Sequence, residues 1–193
     1  MSHRYDVRTK DQFAKEIKDY HIKEAEIAVR LGIAVHAKTG KWPEIKANGV
    51  DSTGALIESD QAVTCDPDYL IGDRLVEITH SKYVLNKTFH EKQNKIKKML
   101  ANGTDMVFVN GLSEKQPNCI WLSAEQWEPF IQRSMTKYGI VPMLGGGKVG
   151  FLNKNAYRFD IYWFKDLFRP LPVLISSIPN EYKELLKSVK ATK

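Results

Sequence analysis

The chain has 193 residues, 42% of them hydrophobic, enough for one domain with a sizeable core and short for two. Its formal net charge of +6 suits a polyanionic partner without excluding other roles, and two cysteines, Cys65 and Cys119, exclude a disulfide framework and an all-thiolate zinc site. The N-terminus lacks the apolar stretch of a signal peptide and no apolar run reaches the roughly 18 residues that span a bilayer, so the expectation is a soluble, cytoplasmic protein with no membrane partner.

The first predicted element is a helix from about Asp11 to Leu31, opened by a Thr9-Lys-Asp-Gln12 capping box and stopped by Gly32. Its stripe runs Phe13, Ile17, Tyr20, Glu24, Ile27 or Ala28, Leu31, so one acid stands in line with apolar residues, while Glu26 points away. From Ile33 to about Thr64 the chain reads as less regular, punctuated by Gly40, Pro43, Gly49 and Gly54, with two or three short strands.

Tyr69-Leu-Ile71 and Arg74-Leu-Val-Glu-Ile-Thr79, joined at Gly72-Asp73, read as a β-hairpin. A helix from about Thr88 to Ala101, stopped by Gly103, follows, with the stripe Phe89, Ile96, Leu100 interrupted by Gln93. Strands are predicted over Asp105–Val109 and Asn118–Leu122, then a helix from the capping box Ser123-Ala-Glu-Gln126 towards Lys137, stopped by Gly139. Gly145-Gly-Gly-Lys148 lacks the spacing of a phosphate loop and reads as a flexible turn. Aromatic residues over Tyr157–Phe168 close the core, and a short helix is predicted near Asn180–Val189. The implied fold class is α/β, a mixed central sheet flanked by helices, in a single domain over 1–193, with its core over about 10–135 and a C-terminal extension over about 140–193.

A hairpin turning at Gly72-Asp73 sets Asp68 opposite Glu77, with Cβ atoms about 4.5 to 5.5 Å apart. Like charges at that distance repel, and a bound cation resolves the conflict. Mg²⁺ prefers one or two carboxylates, with water and substrate phosphate completing its shell, and Mn²⁺ would substitute. Glu24, costly inside an apolar stripe unless compensated, is a candidate third acid. Between residues 82 and 98 six lysines (Lys82, Lys87, Lys92, Lys95, Lys97, Lys98) face one acid, Glu91, a net +5 placed to neutralise a nucleic-acid backbone.

Pro67-Asp68 followed by Glu77-Ile-Thr79 on the next strand resembles the PD-(D/E)XK nuclease superfamily. The stretch from Asp68-Tyr-Leu through Phe89-His-Glu-Lys-Gln93 to Met106-Val-Phe-Val109 is similar to Holliday-junction resolvases of Gram-positive bacteria and their phages. The resemblance covers roughly residues 20 to 125. It implies a restriction-endonuclease-like core, hydrolysis of DNA phosphodiester bonds with Mg²⁺, and a homodimer, because two strands need cutting. Asp68, Glu77 and Glu24 would then hold metal, and Gln93 with Lys82 or Lys92 would position water or phosphate. Thr79 departs from the pattern, standing where the superfamily carries a catalytic lysine; its hydroxyl can orient water only by hydrogen bonding.

Other readings stay open. A restriction or homing endonuclease would use residues 38–64 and the tail after 140 to read bases. A catalytically silent DNA-binding protein would keep the basic helix alone. In an unrelated α/β protein, Asp66 and Asp68 would merely shape a turn.

Overall fold

The computed structural model describes residues 10–48, 67–144 and 151–191. Helix α1 (Lys10–Thr39) leads into strands β1 (Ile45–Ala47), β2 (Tyr69–Ile71), β3 (Arg74–His80) and β4 (Thr88–Lys92). Helix α2 (Gln93–Asn102), strands β5 (Asp105–Asn110) and β6 (Asn118–Leu122) and helix α3 (Ala124–Tyr138) follow. The chain ends with β7 (Val141–Leu144), β8 (Phe151–Asp160), a 3-10 turn (Ile161–Phe164), β9 (Arg169–Pro170) and α4 (Asn180–Ala191).

Six strands form a mixed sheet in the order β1-β2-β3-β5-β6-β9, in which only β3 and β5 run parallel. A parallel pair needs a crossover, and β4 with α2 supplies it. The α/β class with a mixed sheet flanked by helices, expected from the sequence, is therefore what the chain adopts. Among the described residues, no helix is long and apolar enough to cross a membrane.

Because the sheet has two faces, alternate residues feed two cores. Ile78, Val107 and Val109 meet Ala28 and Leu31 of α1 and Val189 of α4 on one side. Met106, Phe108 and Ile120 meet Ile96 of α2 and Trp127 of α3 on the other. Phe159 and Phe164 also enter this second core, and Leu171 the first, so the stretch after residue 140 is built into the domain and is not an appendage to it.

Three sequence expectations change. Helix α1 does not stop at Gly32 but continues to Gly40, whose φ of 72° and N–H bond to the His36 carbonyl end it. Gly32 is glycine for another reason: a Cβ there would lie 2.8 Å from both Ile45 Cδ1 and Tyr182 Oη, where β1 and α4 press against the helix. Thr9 of the predicted capping box lies outside the described residues, as do Asp66 and the Gly145–Lys148 turn.

The second change is at Thr88–Lys92, predicted as the first turn of a helix and found as a strand. Phe89 and Glu91 are buried while their neighbours are half-buried, a period of two, because β4 pairs with β8 (Phe89 opposite Phe159) in a separate sheet of order β4-β8-β7. Phe89 is stacked on Phe108 at 4.1 Å and on Phe159 at 5.2 Å. Helix α2 then starts at Gln93, and Gly103 (φ 63°) closes it by donating to the Leu100 and Met99 carbonyls. Third, the region after Ile33 begins as helix and yields one described strand, β1; residues 49–66 lie outside the described residues.

The hairpin register is the predicted one: Tyr69 opposite Val76, Leu70 opposite Leu75, Ile71 opposite Arg74, with Gly72 at φ 66° in the turn. The Ser123 capping box is also present, Ser123 Oγ accepting from the Gln126 N–H and Gln126 Oε1 from the Ser123 N–H.

Candidate functional site

Strand β3 outlasts β2. Their pairing ends at Tyr69 and Val76, while β3 continues to His80 held by β5 on its other side, so among the described residues Glu77–His80 have no partner strand on the β2 side. Asp68, immediately before β2, closes part of this opening with its side chain: Oδ2 accepts the Ile78 N–H at 2.7 Å. Asn48 fixes the approach, its side-chain amide donating to the Pro67 carbonyl at 3.0 Å and its N–H to the Asp68 carbonyl at 2.9 Å. Continued by one position, the hairpin register sets Asp68 opposite Glu77.

Glu77 and Thr79 share the sheet face that α2 covers, and Lys95 of α2 reaches both. Its ammonium forms an ion pair with Glu77 Oε1 and donates to Thr79 Oγ1 at 3.2 Å. The side chains of Lys95 and Glu77 are only 21% and 12% exposed, so the pair is largely withdrawn from water. Burial works to lower the Lys95 pKa, but Glu77, then Glu91 and Asp68, outweigh it and hold the ammonium well above the ordinary lysine range.

Glu91 comes from β4 and is buried beside this pair. Burial pushes its carboxyl up from the ordinary range; Lys95 and a hydrogen bond from the Thr79 hydroxyl oppose that shift, and the Glu77 charge adds to it. Thr79 thus accepts from Lys95 and lies beside the Glu91 carboxyl, between cation and acid.

From the other face, α1 presents buried Glu24 and, one turn earlier, Tyr20, whose ring stacks on His80 at 4.1 Å. Local desolvation raises the Tyr20 hydroxyl pKa although the residue as a whole is 37% exposed, with Glu24, Glu91 and Asp68 adding to it, and burial raises Tyr69 in the same way with Glu24 and Asp68. One phenol therefore feels acids from α1, β4 and the hairpin together. Burial, then Lys23 and Lys95, lowers the His80 imidazole to about 4.

Of the residues singled out in the sequence, Asp68, Glu77 and Thr79 lie at this opening, while Glu24 acts on Tyr20 and Tyr69 from α1. Lys95, expected among the phosphate-neutralising lysines, is the one whose ammonium reaches Thr79; no contact of Lys82 or Lys92 with Thr79 is found among the described residues. Lys82 lies exposed in the loop after β3 with its ammonium 5.1 Å from the Tyr83 ring centre, and Lys92 ends β4 half-buried. Gln93 opens α2 two residues before Lys95, a spacing that puts the two on different sides of the helix. Lys87 and Lys97 are exposed, and Lys98 lines a shallow cleft with Pro67, Glu77 and Lys95.

Glu91 is not among the candidates read from the sequence; the alternation Phe89-x-Glu91 ahead of Gln93 is the signal that marks it as inward-facing. No protein-family model, curated protein or solved structure matches the chain.

The acids at the opening offer only hard oxygen donors, the chemistry that Mg²⁺ or Mn²⁺ selects. Among the described residues no three His, Cys, Asp or Glu side chains converge as a ready-made metal cage. Asp68 with Glu77 would make a two-carboxylate site, completed by water and substrate oxygen. Lys95 adds a fixed positive charge beside it, suited to an anionic substrate.

Proposed function

We propose that this protein is a cytoplasmic, Mg²⁺-dependent DNA endonuclease, resembling the PD-(D/E)XK nucleases, with Holliday-junction DNA as the first substrate to try. The observation that carries this reading is the Lys95 ammonium, 3.2 Å from Thr79 Oγ1 and paired with Glu77. The sequence departs from the nuclease pattern where Thr79 replaces a strand lysine. A lysine from the next helix brings its ammonium to Thr79 itself, which supports the resemblance at that departure. The order of elements, a helix carrying an acid, a hairpin, a basic helix and a parallel strand, supports it too.

In this reading Asp68 and Glu77 would hold Mg²⁺, with Glu24 assisting from α1; Mn²⁺ would substitute. The bound ion would supply Lewis acidity to a phosphoryl oxygen and lower the pKa of an attacking water. Lys95 neutralises charge developing on the phosphate, and Thr79 fixes the direction from which its ammonium approaches. Exposed Lys82, Lys87 and Lys97, with Lys98 in the adjoining cleft, would contact the DNA backbone. A homodimer would place two such sites on two strands.

The test is a panel of end-labelled four-way junction, duplex and single-stranded DNA incubated with Mg²⁺, Mn²⁺ or EDTA. Metal-dependent cutting of at least one substrate, abolished in Glu77→Gln, is the expected result. Binding that weakens steeply with salt but no cutting of any substrate would transfer the conclusion to a silent DNA-binding protein. Neither binding nor cutting would remove DNA from the account.

A further inference from the structure

Glu91 differs from the other acids of the site. It is 3% exposed, its carboxyl lies beside Thr79 and Lys95, and its Oε1 has no hydrogen-bond partner among the described residues. Leaving a buried acceptor unpaired is costly, so its retention calls for a second arrangement in which that oxygen is used. The donor for such an arrangement is already close. Lys95 pairs with Glu77 and donates to Thr79 Oγ1 at 3.2 Å, and the Glu91 carboxylate also favours its charged form.

A divalent cation held by Asp68 and Glu77 would repel the ammonium that now sits on Glu77. Lys95 is largely buried and needs a second anionic seat. Glu91 offers one, a single hydroxyl away. We propose that Glu91 is a positioning residue that receives the Lys95 ammonium when a divalent cation takes Glu77, an inference that rests on the metal-dependent reading above. Thr79 holds the ammonium throughout, so the move is a pivot about one hydrogen bond. Glu91 acts through Lys95 and does not touch the cation.

The experiment is a calorimetric titration with Mn²⁺ alone, on the full chain and on Glu91→Gln, Glu91→Asp, Lys95→Met and the double variant Lys95→Met/Glu91→Gln. In Glu91→Gln the ammonium has no second seat and competes for Glu77, so Mn²⁺ affinity falls by about tenfold or more. Glu91→Asp keeps the charge and recovers most of the loss. Lys95→Met removes the competitor: it binds Mn²⁺ at least as tightly as the unmodified chain, and the double variant binds as tightly as Lys95→Met.

Unchanged affinity in Glu91→Gln overturns the proposal, as does a loss that persists in the double variant, which would make Glu91 a direct ligand. If Glu91→Gln does not fold, as read by near-ultraviolet circular dichroism, Lys95→Met still decides, because weaker Mn²⁺ binding there is incompatible with competition. Absence of Mn²⁺ binding by both the unmodified chain and Lys95→Met sinks the metal-dependent reading and this inference together. Mn²⁺ binding indifferent to Glu91 sinks this inference alone.

Discussion

Lys95 pairs with Glu77 across the space between helix α2 and strand β3, and the same ammonium donates to Thr79 Oγ1 at 3.2 Å. One helical side chain thus engages both residues that β3 turns towards α2 at the opening. The pair is shielded, so its charges act on each other and on anything entering beside them more strongly than they would in water.

Replacing Lys95 by Met should therefore lower kcat for DNA cleavage by about 10²- to 10³-fold, the scale of removing one preorganised transition-state donor. Lys82→Met, in the exposed loop, should raise KM and leave kcat in place. The comparison is made by single-turnover cleavage at saturating metal. Equal losses of kcat in the two variants would remove Lys95 from its special role.

Asp68 has a structural duty as well as a proposed chemical one, and the two separate by substitution. Asn at position 68 keeps an acceptor for the Ile78 N–H, which Asp68 Oδ2 now satisfies at 2.7 Å. Asp68→Asn should fold with nearly unchanged stability yet lose cleavage by about 10²-fold or more. Asp68→Ala should also lose about 1 to 3 kcal/mol in urea unfolding, because the Ile78 N–H is left unpaired. Full cleavage by Asp68→Asn would reduce Asp68 to the structural duty.

The parts of the fold legible in the sequence are those set by nearby residues. Gly72-Asp73 fixes the hairpin register, and with it the approach of Asp68 to Glu77; Ser123 and Gln126 cap α3 within one turn. The parts that are not legible there depend on distant partners. Thr88–Lys92 is compatible with a helix until Phe159, 70 residues on, pairs with Phe89. Gly32 resembles a helix stop until Ile45 and Tyr182 are seen pressing on it. The choice of Lys95 among six lysines follows from the same long-range pairing: once β4 is a strand, α2 starts at Gln93, and that start sets which lysine faces β3.

The tight contact at Gly32 predicts a purely structural defect. In Gly32→Ala the new methyl group would meet Ile45 Cδ1 and Tyr182 Oη at 2.8 Å, and that Tyr182 hydroxyl also donates to the Pro43 carbonyl at 2.5 Å. Overpacking of this kind costs about 1 to 3 kcal/mol, visible as a lower melting temperature. Cleavage per folded molecule should not change, since the contact lies between β1 and α4. An unchanged melting temperature would mean that α1 ends near Gly32 after all.

His80 supplies the pH dependence. Burial, then Lys23 and Lys95, lowers its imidazole from 6.5 to about 4, and both ring nitrogens lack hydrogen-bond partners among the described residues. As the pH falls through 6.5, unfolded chains take up a proton that folded ones refuse until about 4. The contribution of neutral His80 is therefore complete above 6.5 and drains away between 6.5 and 4. For this half-buried ring the loss should be about 2 kcal/mol. His80→Phe keeps an aromatic ring against Tyr20 and removes the titration. Urea unfolding between about pH 7 and pH 4 should show the unmodified chain losing that much more stability than the variant, with carboxylate titrations common to both cancelling in the difference. Parallel stability curves would mean that the ring is already solvated at neutral pH, and the Tyr20–His80 stack would then be no part of a closed wall beside Lys95.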